Sequence, residues 1–172
     1  GGSKFHLKCD NLLLPAEHPL LRVPESVTVP EGQMVCEFYA ATEPVAKSTS
    51  VAVHSTSGTL NETVHVMVRP AVDFVIQHDP TRGAGFYRGV VRLPVPSPVD
   101  TPIRVQQQDT LDVPAMPIVL RKGDREVEFR IAVTASEPVE VTIQYDGIEC
   151  HATTPALPEM IAAGPNSALP TM

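Results

Sequence analysis

The chain has 172 residues, a net charge of −7 at pH 7 and few aromatic side chains, with three Tyr, five Phe and no Trp. The acidic charge excludes nucleic acid as a partner, because phosphate binding needs a basic surface, and no run approaches the ~20 apolar residues of a membrane-spanning helix. The 18 prolines and the short runs of Val and Thr favour strands and turns, because Pro breaks helix interiors and β-branched side chains suit a pleated surface. We therefore predict an all-β fold.

The first predicted strand covers residues 4–9, where Phe5, Leu7 and Cys9 alternate with polar side chains. The Gly1-Gly2-Ser3 start is typical of a cleaved or added end, so we expect the native start to lie elsewhere. A connection with two prolines, residues 11–22, follows the strand.

A repeated stretch organises the chain. Residues 23–38, VPESVTVPEGQMVCEF, return in degenerate form as residues 113–129, VPAMPIVLRKGDREVEF. In each copy a Val-Pro step precedes an alternating strand, a turn with Gly and a second strand ending in Phe. The Gly pair (Gly32, Gly123) and the Phe pair (Phe38, Phe129) are each 91 residues apart. The spacing predicts two copies of one β unit.

Each copy is predicted to close with a hairpin. In the first copy, strands 49–54 and 59–68 flank Ser57-Gly58, and in the second, strands 141–145 and 148–152 flank Asp146-Gly147. Asp-Gly between alternating runs is a strong hairpin signal, because both central residues of a type I′ turn need positive φ. Turn regions at Glu43-Pro44 and Glu137-Pro138 precede the hairpins.

The second copy also has a beginning that the first copy lacks. Residues 72–76 and 85–93 predict two strands, joined by a loop with Asp79-Pro80 and Gly83. A proline cluster (Pro94, Pro96, Pro98, Pro102) then predicts a stiff sheet-to-sheet connection outside any ladder, and the strand counterpart of residues 4–9 is predicted at residues 103–107. This pattern gives about seven strands in the second unit, as in a small sandwich, and about five in the first.

We therefore predict two tandem immunoglobulin-like β-sandwich domains, residues 4–69 and 70–153, the first without its opening strands. The boundary falls at Arg69-Pro70, and so short a junction predicts restricted hinge motion. Residues 154–172 form a Pro-rich tail that is either a linker or a docking segment.

Three cysteines show no metal-binding spacing. We expect Cys36 to lie on the inward side of its strand with Met34 and Phe38, as a small buried apolar residue. A Cys9–Cys36 disulfide is left open, since it depends on the compartment, and Cys150 is expected to be buried.

The sequence of residues 23–68, from VPESVTVPEG to VAVHSTSGTLNETVHVMV, resembles the bacterial immunoglobulin-like repeats found in tandem in large surface and secreted proteins. Residues 72–153 resemble them more loosely. The resemblance implies an immunoglobulin-like sandwich that serves as spacer, stalk or adhesive module in an extracellular or cell-envelope setting. It implies no shared active site.

Candidate metal and acid–base residues give no convincing site. His54 and His65 share the outer face of the first hairpin, but the assumed turn separates them by four residues, roughly 13 Å at ~3.3 Å per residue. His151 is expected to be exposed beside Cys150, and His78 to lie in a loop with Asp79. Calcium would need more oxygen ligands than Asp73 and Asp79 provide.

Other candidates also favour structural interpretations. The carboxylates Glu126 and Glu128 lie among arginines on a charged outer face, and the glycines of Gly83-Ala84-Gly85 precede a strand, not a phosphate-binding helix. Asn61-Glu62-Thr63 is a short glycosylation pattern that arises often by chance. For sugar stacking, the available aromatics are Tyr39, Phe86, Tyr87 and Tyr145. We predict no catalytic, cofactor-binding or metal residue, and no enzymatic activity.

The leading hypothesis is thus a non-catalytic structural or adhesive segment of a bacterial cell-surface or secreted protein. One alternative is a filament or oligomer subunit completed by strand addition, because exposed edge strands of residues 4–69 invite protein partners or self-association. The tail is a candidate donor. A second alternative is a module that binds a carbohydrate or protein ligand.

Overall fold

The structure is a computed structural model, and it describes residues 2–10, 19–113 and 117–156. The described residues form strands and turns without a helix, so the all-β prediction is confirmed and no helical membrane span is found in this part of the chain. The strands in chain order are β1 (Ser3–Cys9), β2 (Leu21–Arg22), β3 (Ser26–Val29), β4 (Ala41–Thr42), β5 (Thr49–Ser57), β6 (Leu60–Val68), β7 (Asp73–His78), β8 (Phe86–Arg92), β9 (Thr101–Val105), β10 (Leu111–Asp112), β11 (Ile118–Leu120), β12 (Glu126–Val133), β13 (Glu140–Tyr145) and β14 (Ile148–Thr153).

The strands pair antiparallel in four sheets. Their orders are β3-β1-β5-β6, β11-β9-β13-β14, β10-β12-β8-β7 and the small pair β2-β4. We call β1–β6 the first unit and β7–β14 the second unit. Each strand of the first unit corresponds to the strand whose number is higher by eight, so that β1 corresponds to β9. With this correspondence, the sheets β3-β1-β5-β6 and β11-β9-β13-β14 have the same strand order, and the pair β2-β4 corresponds to β10-β12.

The two units also share their pairing register. Phe5 faces Val27 between β1 and β3, just as Ile103 faces Ile118 between β9 and β11. The same correspondence holds for Leu21–Thr42 with Leu111–Val133, and for Ser57–Leu60 with Tyr145–Ile148. Because a slip of one residue would exchange the two faces of a strand, equal registers mean that matched residues face the same side.

The second unit is a closed two-layer sandwich. The sheet β11-β9-β13-β14 packs on β10-β12-β8-β7, with β14 beside β7 and β11 beside β12. Alternating residues of β13 (Val141, Ile143 and Tyr145) are fully buried between the layers, and Phe74 stacks on Phe129 with ring centroids 6.2 Å apart. Full burial of side chains of this size contributes about 1.5–3 kcal/mol each.

The first unit has one full layer. Within the described residues no strand takes the positions of β7 and β8, and only the two-residue strands β2 and β4 form a second layer. Its buried cluster is correspondingly small and consists of Leu20, Leu21, Val51, Val53 and Val68.

The predicted strand ending at Phe38 is wrong. Residues 33–40 have no ladder pairing, Met34 is 98% exposed and Phe38 44%, so these side chains do not share a buried face with the half-buried Cys36. The reason is non-local: the counterpart stretch becomes β12 because it pairs with β8, and no strand of the described part of the first unit takes the place of β8. In the second copy the strand continues past Phe129 to Val133.

The turn of the first hairpin lies one residue later than predicted. Ser57 pairs with Leu60, so the turn residues are Gly58 and Thr59, and Gly58 has φ 59°. Val51 therefore faces Val66, not Val64. The Asp146-Gly147 turn is as predicted, with positive φ at both residues.

Smaller differences concern β9, β7 and the strand totals. Pro102 lies inside β9 and not in the preceding connection, which is tolerated because the β9–β13 ladder covers only residues 103–105. Gln107 lies beyond β9, and His78 is the last residue of β7 and not part of a loop. Among the described residues the second unit has eight strands and the first has six, one more than predicted in each.

A loop of the first unit contacts the second unit. Ala46, between β4 and β5, is buried in the core of the second unit, where its carbonyl accepts a 2.7 Å hydrogen bond from the Tyr145 hydroxyl. The amide of Ser48 donates to Asp146 Oδ2 at 2.5 Å. Residues 69–72 connect β6 to β7, and the division into domains at this point stays a prediction.

Only residues 154–156 of the predicted tail are described. Thr154 is buried, its amide donates to the carbonyl of Val139, and the Tyr87 hydroxyl donates to the carbonyl of Pro155 at 3.2 Å. The segment 157–172, like 11–18 and 114–116, lies outside the described residues, so the choice between linker and docking segment stays open.

Candidate functional site

The most unusual surface of the molecule is the inward face of the sheet β3-β1-β5-β6, which we call the open face. Alternation along the strands directs Phe5, Leu7, Val27, Val53 and Val64 to this side. Together with Phe38 from segment 33–40, they surround a cavity of about 400 Å³. In the second unit the same side of the sheet is covered by β12, β8 and β7.

Matched residues in the two units show how much cover is missing. Val66 of β6 is 37% exposed, and its counterpart just after β14, Thr154, is 2% exposed. Val64 and Leu60 are each 62% exposed, whereas their counterparts Ala152 and Ile148 are half-buried. The open face therefore leaves apolar side chains in water at positions that the second unit covers.

The strand β6 also forms an edge of its sheet. Within the described residues it pairs with β5 alone, and its exposed side chains include Leu60, Val64, Val66 and Met67. An apolar edge strand is a template for another strand, because its outward amides and carbonyls point to solvent. The site can therefore bind main chain as well as apolar side chains.

Charge at the open face is sparse. Glu62 lies on the inward side, opposite Ser55 and between Leu60 and Val64. Glu37 occupies the position that Glu128 has in the second unit, whereas Val35 and Tyr39 stand where that unit has Glu126 and Arg130. The outer side of segment 33–40 is thus more apolar than its counterpart.

The three cysteines of the chain are thiols. Cys9, Cys36 and Cys150 are all unpaired, and no disulfide joins Cys9 to Cys36. Burial, followed by the charge of Asp10, raises the pKa of Cys9, and burial alone raises that of Cys150, which is half-buried. Cys9 packs beside the small core of the first unit, and its neutral thiol is suited to packing and not to nucleophilic chemistry.

A polar cluster on the opposite face of the same sheet was not predicted. His54 Nε2 lies 2.8 Å from Asp10 Oδ2, and its Nδ1 lies 2.9 Å from Thr63 Oγ1. The hydrogen bond from His54 is the main cause that lowers the pKa of Asp10. A carboxylate, an imidazole and a hydroxyl in series have the order of a catalytic triad, but the imidazole and carboxylate are 34% and 42% exposed on an open strand surface. The cluster links the end of β1 to β5 and β6.

The register corrects the predicted histidine geometry. His65 faces Ala52 and His54 faces Thr63, so the two histidines share the outer face but are two residues apart along the ladder, not four. Their rings have different neighbours, since His65 Nδ1 lies 3.5 Å from Ser50 Oγ. No group of three metal-ligating side chains is found in the described ranges.

His78 and His151 belong to the second unit. His151 is exposed, as predicted, and contacts Thr142 Oγ1 at 3.0 Å. His78 packs edge-on against Tyr87 with ring centroids 5.9 Å apart, and its buried Nε2 has no hydrogen-bond partner. Glu140 Oε1 lies 3.5 Å from His151 Nδ1, but both side chains are more than half exposed on an open strand surface.

The predicted carboxylates are engaged in local structure. Asp79 Oδ1 accepts hydrogen bonds from the amide and hydroxyl of Thr81, which lower the pKa of Asp79. Glu126 and Glu128 form salt bridges with Arg92 and Arg88 on the outer face, as the charge alternation predicted. These contacts stabilise a turn and a strand pair.

The glycine segment 83–85 and the aromatic residues also have structural positions. Gly83 and Gly85 have positive φ in the turn before β8, and the carbonyl of Gly85 accepts a hydrogen bond from Val133. Tyr87 and Tyr145 are buried, which leaves Tyr39, fully exposed, and Phe86 as accessible rings. Asn61 is exposed on β6, and the hydroxyl of Thr63 in the same motif contacts His54.

A comparison with models of known protein families finds no match, and a search of curated proteins finds no significant one. The functional conclusion therefore rests on the geometry of the chain itself.

Proposed function

We propose that this chain is a non-catalytic assembly module of a bacterial cell-surface or secreted protein, in which the open face accepts a β-hairpin from a neighbouring chain. The observation that carries the proposal is internal to the molecule. Two sheets with the same strand order and register are present, and one is covered by the hairpin β7-β8, while no described residues form such a hairpin over the other.

The pairing partner for such a hairpin is already in place. Residues 35–41 correspond to the stretch of β12 that pairs with β8, and residues 35–40 have no ladder partner. An incoming strand would supply the missing ladder to this segment, and a second strand would reach the edge strand β6, as β7 lies beside β14. Main-chain hydrogen bonds give such strand addition its affinity, and alternate side chains give it specificity.

Burial supplies the driving force. Phe38 and Val66 would become buried like their counterparts Phe129 and Thr154, and each large apolar side chain that becomes fully buried contributes up to about 1.5–3 kcal/mol. Val64 and Leu60 would become half-buried, like their counterparts Ala152 and Ile148. The free energy gained by this burial would hold two chains together and would not contribute to catalysis. The resemblance to immunoglobulin-like repeats of surface proteins supports the extracellular or cell-envelope setting.

The proposal is tested with a self-complemented chimera. A second copy of residues 72–100, which contains β7, β8 and their connection to β9, is placed directly before Ser3, the counterpart of Thr101. We expect amides of residues 35–41 to become protected from hydrogen exchange and the unfolding midpoint of the first unit to rise. A shuffled copy of the same segment is the control. Unprotected amides at 35–41 in a folded chimera would contradict the proposal.

The tail hypothesis is separated by deletion. Removing residues 157–172 leaves the buried Thr154 in place, and we expect the molar mass by light scattering to be unchanged because the occupant is a hairpin from a different chain. A drop from oligomer to monomer would identify the tail of a second copy as the occupant instead.

Carbohydrate binding is the second candidate, favoured by the fully exposed ring of Tyr39. Sugar rings stack on exposed aromatic faces, and Tyr87, the other tyrosine considered on β8, is buried. Glycan-array binding that disappears in Tyr39→Ala would support this candidate, and an array without signal would remove it.

A further inference from the structure

We infer that the strand entering beside residues 35–41 carries a glycine opposite Phe38, and that this Phe–Gly pair selects the partner. The inference rests on the proposed function, since it names the sequence that the open face accepts.

The second unit shows why a glycine is required. Gly89 of β8 faces Phe129 of β12, and a Cβ built on Gly89 would lie 2.6 Å from Phe129 Cζ and 2.8 Å from Cε2. Carbon atoms do not approach so closely, so any side chain at residue 89 would displace the ring. The backbone of Gly89 is not left-handed, and the requirement is therefore one of space.

Phe38 has the position of Phe129. Ala41 faces Arg22 as Ala132 faces Asp112, and counting back three residues from each alanine gives the two phenylalanines. Phe38 also lines the cavity of the open face, on the side where the missing strand would pass. If an incoming strand had the register of β8, its residue at the position of Gly89 would lie against the Phe38 ring.

Neighbouring positions extend the pattern. Tyr87 and Val91 flank Gly89 on the inward side, where they face Ile131 and Val127. The first unit has the smaller Ala40 in place of Ile131 and Cys36 in place of Val127, so the partner needs large apolar residues at both flanking positions. The space beside Ala40 admits a ring at least as large as that of Tyr87.

Charge complementarity adds one more position. Arg88, directly before Gly89, forms a 3.3 Å salt bridge with Glu128, and Glu37 stands at the position of Glu128 in the first unit. A cation directly before the glycine would therefore meet Glu37. The partner strand has the order large apolar residue, Lys or Arg, Gly, an apolar residue at the position of the buried Val90, and a further apolar residue.

The test uses the full chain and synthetic hairpins with the sequence of residues 72–93, titrated by fluorescence anisotropy. We expect the hairpin with Gly at position 89 to bind and to protect amides 35–41 from exchange. The Gly89→Val hairpin should bind about tenfold more weakly, as overpacking predicts. The Gln77→Val hairpin adds bulk on the exposed side of β7 and should bind within about twofold of the parent.

Removing the ring of Phe38 tests whether this ring causes the weaker binding of the Gly89→Val hairpin. The Phe38→Ala chain should bind the Gly89→Val hairpin about as well as the parent hairpin, because the ring that excludes the side chain is gone. Equal binding of the Gly and Val hairpins to the unaltered chain would overturn the inference and leave the proposed function standing. Failure of Phe38→Ala to restore binding of the Val hairpin would also overturn the inference. If no hairpin binds or protects residues 35–41, both the inference and the proposed function are wrong.

Discussion

The hydroxyl of Tyr145, in the second unit, donates a 2.7 Å hydrogen bond to the carbonyl of Ala46, in the first unit. Tyr145 is fully buried, and Ala46 lies in the same apolar cluster. The contact joins the loop before β5 to the end of β13, next to the bond between the Ser48 amide and Asp146. The two units are therefore coupled by a buried polar contact in addition to the chain connection.

Replacing Tyr145 with Phe tests this coupling. We expect Tyr145→Phe to lower the free energy of unfolding by about 1–3 kcal/mol, because the carbonyl of Ala46 stays buried without its donor. Urea denaturation followed by circular dichroism measures the loss. Tyr39→Phe, which removes a fully exposed hydroxyl, is the matched control and should be neutral. A neutral Tyr145→Phe would show that the contact carries no stability.

The same phenol predicts a loss of stability in alkali. Burial raises the pKa of Tyr145 above its ordinary value of 10.0, so above that pH the unfolded chain loses the proton first. The contribution of the neutral phenol is fully present below pH 10.0 and is lost as the pH rises through the higher folded-state pKa. Urea midpoints measured from about pH 8 to about pH 11 should fall more steeply in the unaltered chain than in Tyr145→Phe. Parallel curves would contradict the prediction.

The matched phenylalanines predict unequal costs of truncation. Phe129 is 6% exposed and stacked on Phe74, so Phe129→Ala should cost about 3–5 kcal/mol. Phe38 is 44% exposed, and Phe38→Ala should cost about 1 kcal/mol or less. Chemical denaturation of the two variants gives the comparison. Similar losses would mean that Phe38 is already covered in solution.

Acid should weaken the turn at Asp79. The hydroxyl of Thr81, and then its amide, hold the pKa of Asp79 below its ordinary value of 3.8. The stabilisation is present above pH 3.8 and is lost as the pH falls through the lower folded-state pKa. Asp79→Asn should therefore lose less stability than the unaltered chain between about pH 4 and pH 2, measured by urea midpoints. Asp109→Asn, at an exposed turn, serves as the control and should keep the slope of the unaltered chain.

Local features were predictable from the sequence. Asp146-Gly147 specifies its own turn, because both residues tolerate positive φ, and the alternation of residues 4–9 gave the half-buried face of β1. The first hairpin was misplaced because Gly can occupy either turn position. Here Gly58 takes the first position, as in a type II′ turn, with Thr59 in the second.

Non-local features were not predictable. The segment 33–40 has the alternation of a strand, but a strand needs a pairing partner, and that information lies outside the segment. The contacts of His54 with Asp10 and Thr63 depend on registers across β1, β5 and β6, which a one-residue shift in the turn had obscured. The open face itself was foreseen as missing opening strands, whereas its cavity and the Phe–Gly requirement needed side-chain positions.

Glu62 gives the open face one further consequence. A chain with an apolar edge strand can aggregate with identical copies, because edge strands of the same sequence pair most readily when they are uncharged. In a parallel, in-register stack of β6 edges, the Glu62 carboxylates of neighbouring copies would lie side by side and repel each other. We therefore expect Glu62 to oppose the stacking of identical copies through this edge.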